Sequence, residues 1–116
     1  MAQKFTGHQL DEQLASLQGW QLDKTGQAIE KRFQFEDFSS AFGAITQIAL
    51  AAERLNHHPE WSNSWNRLTV RLTTHDAGGI TALDIKLAQQ IDQQIDQQID
   101  RQIDRQIDRL ADRTDS

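Results

Sequence analysis

Glu53-Arg54-Leu55-Asn56-His57-His58-Pro59-Glu60-Trp61 is the stretch in which the chain changes its period. Before it, Phe38, Phe42, Ile45, Ile48, Ala49, Ala52 and Leu55 recur at helical spacing for five turns, with Asp37 placed to cap the first. After it the spacing becomes two. Trp61 to Asn66 reads as one strand, and Leu68, Val70 and Leu72 alternate with Thr69, Arg71 and Thr73 in a second. Pro59, the only proline, lacks the N–H a helix needs and pushes His58 toward extended backbone.

Working outward, the pattern repeats on both sides. Trp20 and Leu22 alternate with polar neighbours, Asp23-Lys24-Thr25-Gly26 has turn composition, and Ile29, Phe33 and Phe35 mark one strand face. Ahead of that hairpin, Thr6-Gly7-His8-Gln9 has the form of a capping box, Leu10, Leu14 and Leu17 follow at helical spacing, and Gly19 supplies a stop. Past the second hairpin, His75 sits at a strand end and Gly78-Gly79 breaks the chain. Thr81, with Asp84 three residues later, opens a last helix through Ile85, Leu87 and Ala88. The order is α-β-β-α-β-β-α. It predicts an α+β two-layer sandwich, a four-stranded antiparallel sheet with three helices on one face. Its open sheet face and edge strands invite assembly.

Residues 1–90 hold 36 of the 43 hydrophobic residues and every Trp and Phe; residues 91–116 hold only 7. The expectation is a body over 1–90 and a tandem-repeat extension of the last helix over 91–116, fraying beyond its contact with the body. A core of this size is marginal alone and tends to recruit another subunit. The extension reads IDQQ-IDQQ-IDRQ-IDRQ-IDRL, with isoleucines at 91, 95, 99, 103 and 107. Four-residue spacing turns an α-helical stripe by about 40° per step, so across the whole repeat no single face stays apolar. Its aspartates form a like-charged i,i+4 row.

The net charge is −5, split as −2 for the body and −3 for the repeat, and no basic stripe is present. Direct nucleic-acid binding is not expected. The absence of cysteine excludes a disulfide framework, a thiol nucleophile and sulfur-built zinc sites. No apolar run is long enough to span a bilayer and residues 1–13 lack signal-peptide organisation, so a cytoplasmic protein with no membrane partner is expected.

Chemistry concentrates in 53–61 and in Thr73-Thr74-His75-Asp76. Three of the four histidines lie there, at a helix end, in a loop and at a strand end, where scaffolds present functional groups. Histidine titrates near neutral pH, so such a cluster can hold a base and an acid together. Glu53, one turn before His57, is placed to orient its ring, and Trp61 offers a flat apolar wall. The bland readings are exposed capping for His57 and His58, a loop hydrogen bond for His75, and core positions for Trp61 and Trp65, four apart on one strand face. Adjacent histidines rarely chelate one ion and no carboxylate completes a ligand set, so no metal is expected.

The run E-x-x-x-H-H-P-x-W at 53–61, then Thr74-His75, then Asp84, resembles the pterin-4a-carbinolamine dehydratases. Gly19-Trp20 and Phe35-x-Asp37-Phe38-x-x-Ala41-Phe42 extend the likeness over about 85–90 residues, and the repeat matches nothing in that family. The resemblance implies the same α+β sandwich and removal of water from 4a-hydroxytetrahydropterin to give quinonoid dihydropterin. That reaction recycles the pterin of aromatic amino-acid hydroxylases, with neither metal nor organic cofactor. It implies His57 and His75 as the acid/base pair and His58 positioning the substrate. Glu53, Asn56, Pro59, Trp61, Thr74 and Asp84 would contribute to substrate binding, in a homodimer or homotetramer. Asn56 stands where family members often carry Asp, and Leu83 where some carry Arg. The alternative from a different class is a non-enzymatic dimerisation cofactor or assembly chaperone on the same fold.

Overall fold

The computed structural model describes residues 3–114; residues 1, 2, 115 and 116, at the ends of the two expected segments, lie outside it. Its elements are α1 (Gly7–Ala15), β1 (Gln21–Leu22), β2 (Ile29–Gln34), α2 (Phe38–Leu55), β3 (Glu60–Ser64), β4 (Arg67–Leu72), a 3-10 turn (His75–Ala77) and α3 (Ala82–Thr114). The four strands form one antiparallel sheet in the order β1-β2-β4-β3, so the two hairpins join through β2 and β4. This is the α+β architecture the periodicities predict.

Register decides which side chains meet the helices. Ile29 lies opposite Leu72, Lys31 opposite Val70 and Phe33 opposite Leu68, which places these residues on one sheet face. Leu68, Val70, Leu72 and Ile29 are fully buried there against Ala41, Ala44, Ile45, Ile48 and Ala51 of α2 and Leu87, Ala88 and Ile91 of α3. Phe5, Leu10, Leu14 and Leu17 from the α1 region pack on the same core. The other sheet face is polar. On it Arg71 binds Asp23 at 2.9 Å and Glu60 at 3.0 Å. The Thr25 hydroxyl donating to Asp23, helped by the Arg71 guanidinium against the cost of burial, holds the Asp23 carboxyl at about 2.

Local chemistry explains most element ends. Asp37 accepts from the Ser40 backbone N–H at 2.8 Å and caps α2 as expected, and this bond lowers its pKa. Thr81 and Asp84 form the expected box at the head of α3. Asp84 Oδ2 accepts from the Thr81 N–H at 2.9 Å, and Thr81 Oγ1 accepts from the Leu83 N–H at 3.2 Å.

Four expectations need correction. The Thr6 side chain makes no capping bond, because Gly7 takes φ +53° and misaligns the first turn. Phe38 and Phe42 are half-exposed and pack on each other at 6.0 Å; the buried stripe of α2 keeps the expected Ile45, Ile48 and Ala52 and adds Ala41, Ala44 and Ala51, whose small side chains let the helix approach its neighbours closely. Trp61 and Trp65 are both exposed, Trp61 on an edge strand and Trp65 in the β3–β4 turn at φ +53°. Finally, α2 stops at Leu55 because Asn56 adopts the left-handed conformation at φ 49°, three residues before Pro59.

The last helix runs unbroken for 33 residues. Ile91 and Ile95 are buried in the core. Asp92 accepts from the Trp20 indole N–H at 3.0 Å and pairs with Lys31 at 2.8 Å, and Gln98 donates to the Ser40 carbonyl at 2.8 Å. Beyond that bond Ile99, Ile103, Ile107 and Leu110 are 43–60% exposed.

Candidate functional site

The site begins with the left-handed turn at Asn56. Asn tolerates that conformation better than any other side chain except Gly. The turn lifts His57 off the helical path, while the Asn56 and His57 N–H groups still bond back to Glu53 and Ala52 carbonyls. His57 therefore does not sit one turn above Glu53, and the expected Glu53–His57 pairing does not form. The His57 ring points inward and meets Asp84 across the helix–helix seam, Nε2 to Oδ1 at 2.6 Å. Its side chain is 10% exposed and that of Asp84 is fully buried.

Asp84 is saturated. Its Oδ2 accepts from the Thr74 hydroxyl at 2.7 Å and from the Thr81 N–H at 2.9 Å, which leaves Oδ1 for His57. The Thr81 hydroxyl in turn meets Thr74 Oγ1 at 2.8 Å. Among the described residues no buried side-chain polar atom lacks a partner. Three elements thus converge on one carboxylate: the end of β4 through Thr74, the head of α3, and the loop after α2. A buried carboxylate without partners would be costly, and here both oxygens are hydrogen-bonded, through three bonds in all. Its position inside the first turn of α3 adds the favourable field of a helix N-terminus.

The other two histidines are exposed and more loosely held. His58 turns back to Glu53, Nε2 to Oε1 at 2.6 Å, on the surface. His75, at the start of the 3-10 turn, places Nε2 3.6 Å from Glu60 Oε1, an ion-pair distance too long for a hydrogen bond. Glu60 bridges on to Arg71. Each of the three rings therefore turns Nε2 toward a carboxylate. For His57 and His58, which hydrogen-bond there, the neutral tautomer places the hydrogen on Nε2 and leaves the Nδ1 lone pair as acceptor. Such groups can take or give a proton.

Asp84 thus meets His57 directly, Thr74 reaches it through Asp84, and Glu53 meets His58. Trp61 is half-exposed on the edge strand one residue from Glu60, Pro59 is half-buried in the connecting loop, and Asn56 is exposed. Two participants escaped the sequence reading. Thr81 was visible only as a helix cap, and its second role follows from the same bond that makes the cap. Glu60 had no distinguishing spacing. Its pairing with His75 depends on the β3–β4 register, which sets Glu60 opposite Arg71. A surface cleft of about 470 Å³ lies elsewhere, lined by Arg32, Gln34, Ser64, Arg67 and their neighbours, and contains none of the histidines.

With this geometry in view, the comparisons are specific. The family model described as Pterin 4 alpha carbinolamine dehydratase matches residues 3–94. A provisionally named pterin-4-alpha-carbinolamine dehydratase of Bordetella avium is 48% identical over 92 residues, covering 79% of this chain and 85% of its own. One of Rhizobium johnstonii with the same provisional name is 54% identical over 83 residues, covering 72% and 82%. The crystal structure of a transcriptional coactivator/pterin dehydratase from Brucella melitensis superposes with a TM-score of 0.75 at 47% identity, covering 77% of this chain and 95% of that one.

Proposed function

The chain belongs to the pterin-4a-carbinolamine dehydratase family and is a hydro-lyase acting on a pterin, and from that premise we propose a reaction carried by its histidines. The substrate is 4a-hydroxytetrahydropterin. The C4a–O bond breaks, the N5 proton leaves, and a C4a=N5 double bond forms as water departs, giving quinonoid dihydropterin. Hydroxide is a poor leaving group, so one group protonates the departing oxygen while another accepts the N5 proton. Positioned acid and base groups each contribute about 100- to 10,000-fold.

His57 and His75 take these two roles, and His58 holds the substrate. Trp61 offers its exposed ring as a wall for the planar pterin, with Asn56, Pro59, Glu53 and Thr74 completing the surroundings. Asp84 acts as a positioning residue, because it has no exposed surface and reaches the substrate only through His57. The observation that carries this reading is the 2.6 Å bond between His57 and a fully buried carboxylate whose other oxygen is held by Thr74 and Thr81. A surface histidine with only a capping function needs no such support. In this reading the protein works in the cytoplasm beside a pterin-dependent aromatic hydroxylase, as a homodimer or homotetramer. Among the described residues no helix is long and apolar enough to cross a membrane.

The test is direct. Purified protein is expected to accelerate dehydration of 4a-hydroxytetrahydropterin, and His57→Ala and His75→Ala to lose most of the rate while keeping their circular dichroism. No acceleration over buffer would end the enzyme reading. It would move forward a non-enzymatic, coactivator-like role, of the kind named beside pterin dehydratase for the Brucella protein.

A further inference from the structure

The sequence places Thr74 among the substrate-binding residues and Thr81 at a helix cap, yet their hydroxyls lie 2.8 Å apart beside the carboxylate that holds His57. Counting hydrogens fixes the wiring. A carboxylate offers no hydrogen, so Thr74 donates its only one to Asp84 Oδ2 at 2.7 Å. In the contact with Thr81, Thr74 Oγ1 therefore accepts and Thr81 donates. Thr81 Oγ1 accepts in turn from the Leu83 N–H at 3.2 Å, one of the donors that the head of a helix leaves without an intrahelical partner. The bonds run one way, from the Leu83 N–H through Thr81 and Thr74 to Asp84. Bonds aligned in this sense polarise one another, and they do so where water is absent, since Thr81 and Asp84 have no exposed surface.

Thr74 also belongs to the turn that carries His75. Its carbonyl accepts from the Ala77 N–H at 3.1 Å and the Gly78 N–H at 3.0 Å, which closes the 3-10 turn, and its own N–H donates to the Gly79 carbonyl at 2.9 Å. The backbone of Thr74 is thus fixed in the His75 turn while its side chain is fixed on the carboxylate behind His57. With its one hydrogen on Asp84, the Thr74 hydroxyl has none to donate to a bound molecule.

We infer that Thr74 and Thr81 are positioning residues for His57, acting in series through Asp84. Their hydroxyls hold Oδ2, which turns Oδ1 to the His57 ring and keeps the ring hydrogen on Nε2. Thr74 touches the carboxylate and Thr81 touches Thr74, so the effect of the first exceeds that of the second. Removing the Thr74 hydroxyl leaves Oδ2 with the Thr81 N–H alone. Removing that of Thr81 takes a donor from Thr74 and an acceptor from the Leu83 N–H. The inference rests on the dehydratase reading for its effect on turnover and stands without it for its effect on the ring.

The test compares Thr74→Val and Thr81→Val, which keep the branched shape and remove the hydroxyl, with Thr74→Ser and Thr81→Ser, which keep the hydroxyl. With 4a-hydroxytetrahydropterin, Thr74→Val is expected to lower kcat about ten-fold and Thr81→Val by less, with KM unchanged and both serine variants near wild type. In an Asp84→Asn background, Thr74→Val is expected to cost nothing further, because the two act on the same ring. Nitrogen-15 NMR reads the wiring without turnover: neutral His57 is expected as the Nε2–H tautomer in wild type and as a mixture of tautomers in Thr74→Val. If wild type fails to dehydrate the pterin, the catalytic reading falls and the ring spectra decide the inference. A valine variant that loses its far-ultraviolet circular dichroism is replaced by the alanine variant at the same position. A raised KM with full kcat in Thr74→Val, a loss that adds in full to that of Asp84→Asn, or a His57 tautomer unchanged by removal of the hydroxyls would overturn the inference.

Discussion

One helix carries the same tetrapeptide through two environments. In the segment 91–98 the repeat is part of the fold: Ile91 and Ile95 fill the core, and Asp92 holds Trp20 and Lys31. In the segment 99–110 the same isoleucine and aspartate pattern lies against solvent. The residue type is constant, so burial is decided by phase. A stripe that turns about 40° per unit stays on the body for two units and then leaves it. The head of the same helix makes a third use of its chain, since Asp84 in its first turn holds His57. A single element thus supports the site, the core and an outer surface in succession.

The comparison can be tested at each level, and the largest effects belong to the head. Asp84→Asn removes the charge behind His57 while keeping its shape, and should cut turnover about 100-fold or more with little change in KM. A matching change at Asp104, in the same helix but distal, should leave turnover unchanged. An equal loss from both would mean that the helix acts only as a scaffold.

The core segment comes next. Ile91→Ala should cost about 2–5 kcal/mol in denaturant unfolding, whereas Ile107→Ala should stay within about 0.5 kcal/mol. Similar losses at the two positions would show that the distal stripe is buried in the working protein. Asp92→Ala strips the Trp20 indole and Lys31 of their partner and should cost about 1–2 kcal/mol; Asp96→Ala, exposed one unit later, should cost almost nothing.

The smallest effect is expected from Asp23, in the turn after β1. The Thr25 hydroxyl and the Arg71 guanidinium hold its carboxyl down to about 2 from the ordinary 3.8. The stabilisation it brings is therefore complete above the unfolded value and is lost as pH falls through about 2. Acid titration monitored by circular dichroism should show a shallower loss of stability in Asp23→Asn across that window. An unchanged slope would place the acid sensitivity elsewhere.

Much of this was legible in the sequence because it is local. Period two against period 3.6 separated β4 from α2, and the Asp37 and Thr81–Asp84 spacings located two helix starts. The histidine motif contains both members of the His58–Glu53 pair and one member of the His57–Asp84 pair. Its internal wiring was not legible, for identifiable reasons. The left-handed Asn56 voids the i,i+4 relation that would join Glu53 to His57, and the true partner, Asp84, lies 27 residues away across a helix–helix contact. Trp65 looked like a strand residue because aromatics favour strands, yet it occupies a positive-φ turn position. Phe38 and Phe42 outweighed the alanines in hydrophobicity, although close packing against the sheet and α3 favours the smaller side chain. The repeat carries no sign of where it leaves the body, because the same isoleucine and aspartate recur in all five units while the body buries only Ile91 and Ile95.

The central claim is that His57, held by Asp84, moves a proton during pterin dehydration. Rapid-mixing measurement of 4a-hydroxytetrahydropterin dehydration with wild type, His57→Ala and Asp84→Asn tests it most directly. The account predicts clear acceleration by wild type, a loss of about 100-fold or more in both variants, and unchanged far-ultraviolet circular dichroism. Full turnover by folded His57→Ala protein would contradict it.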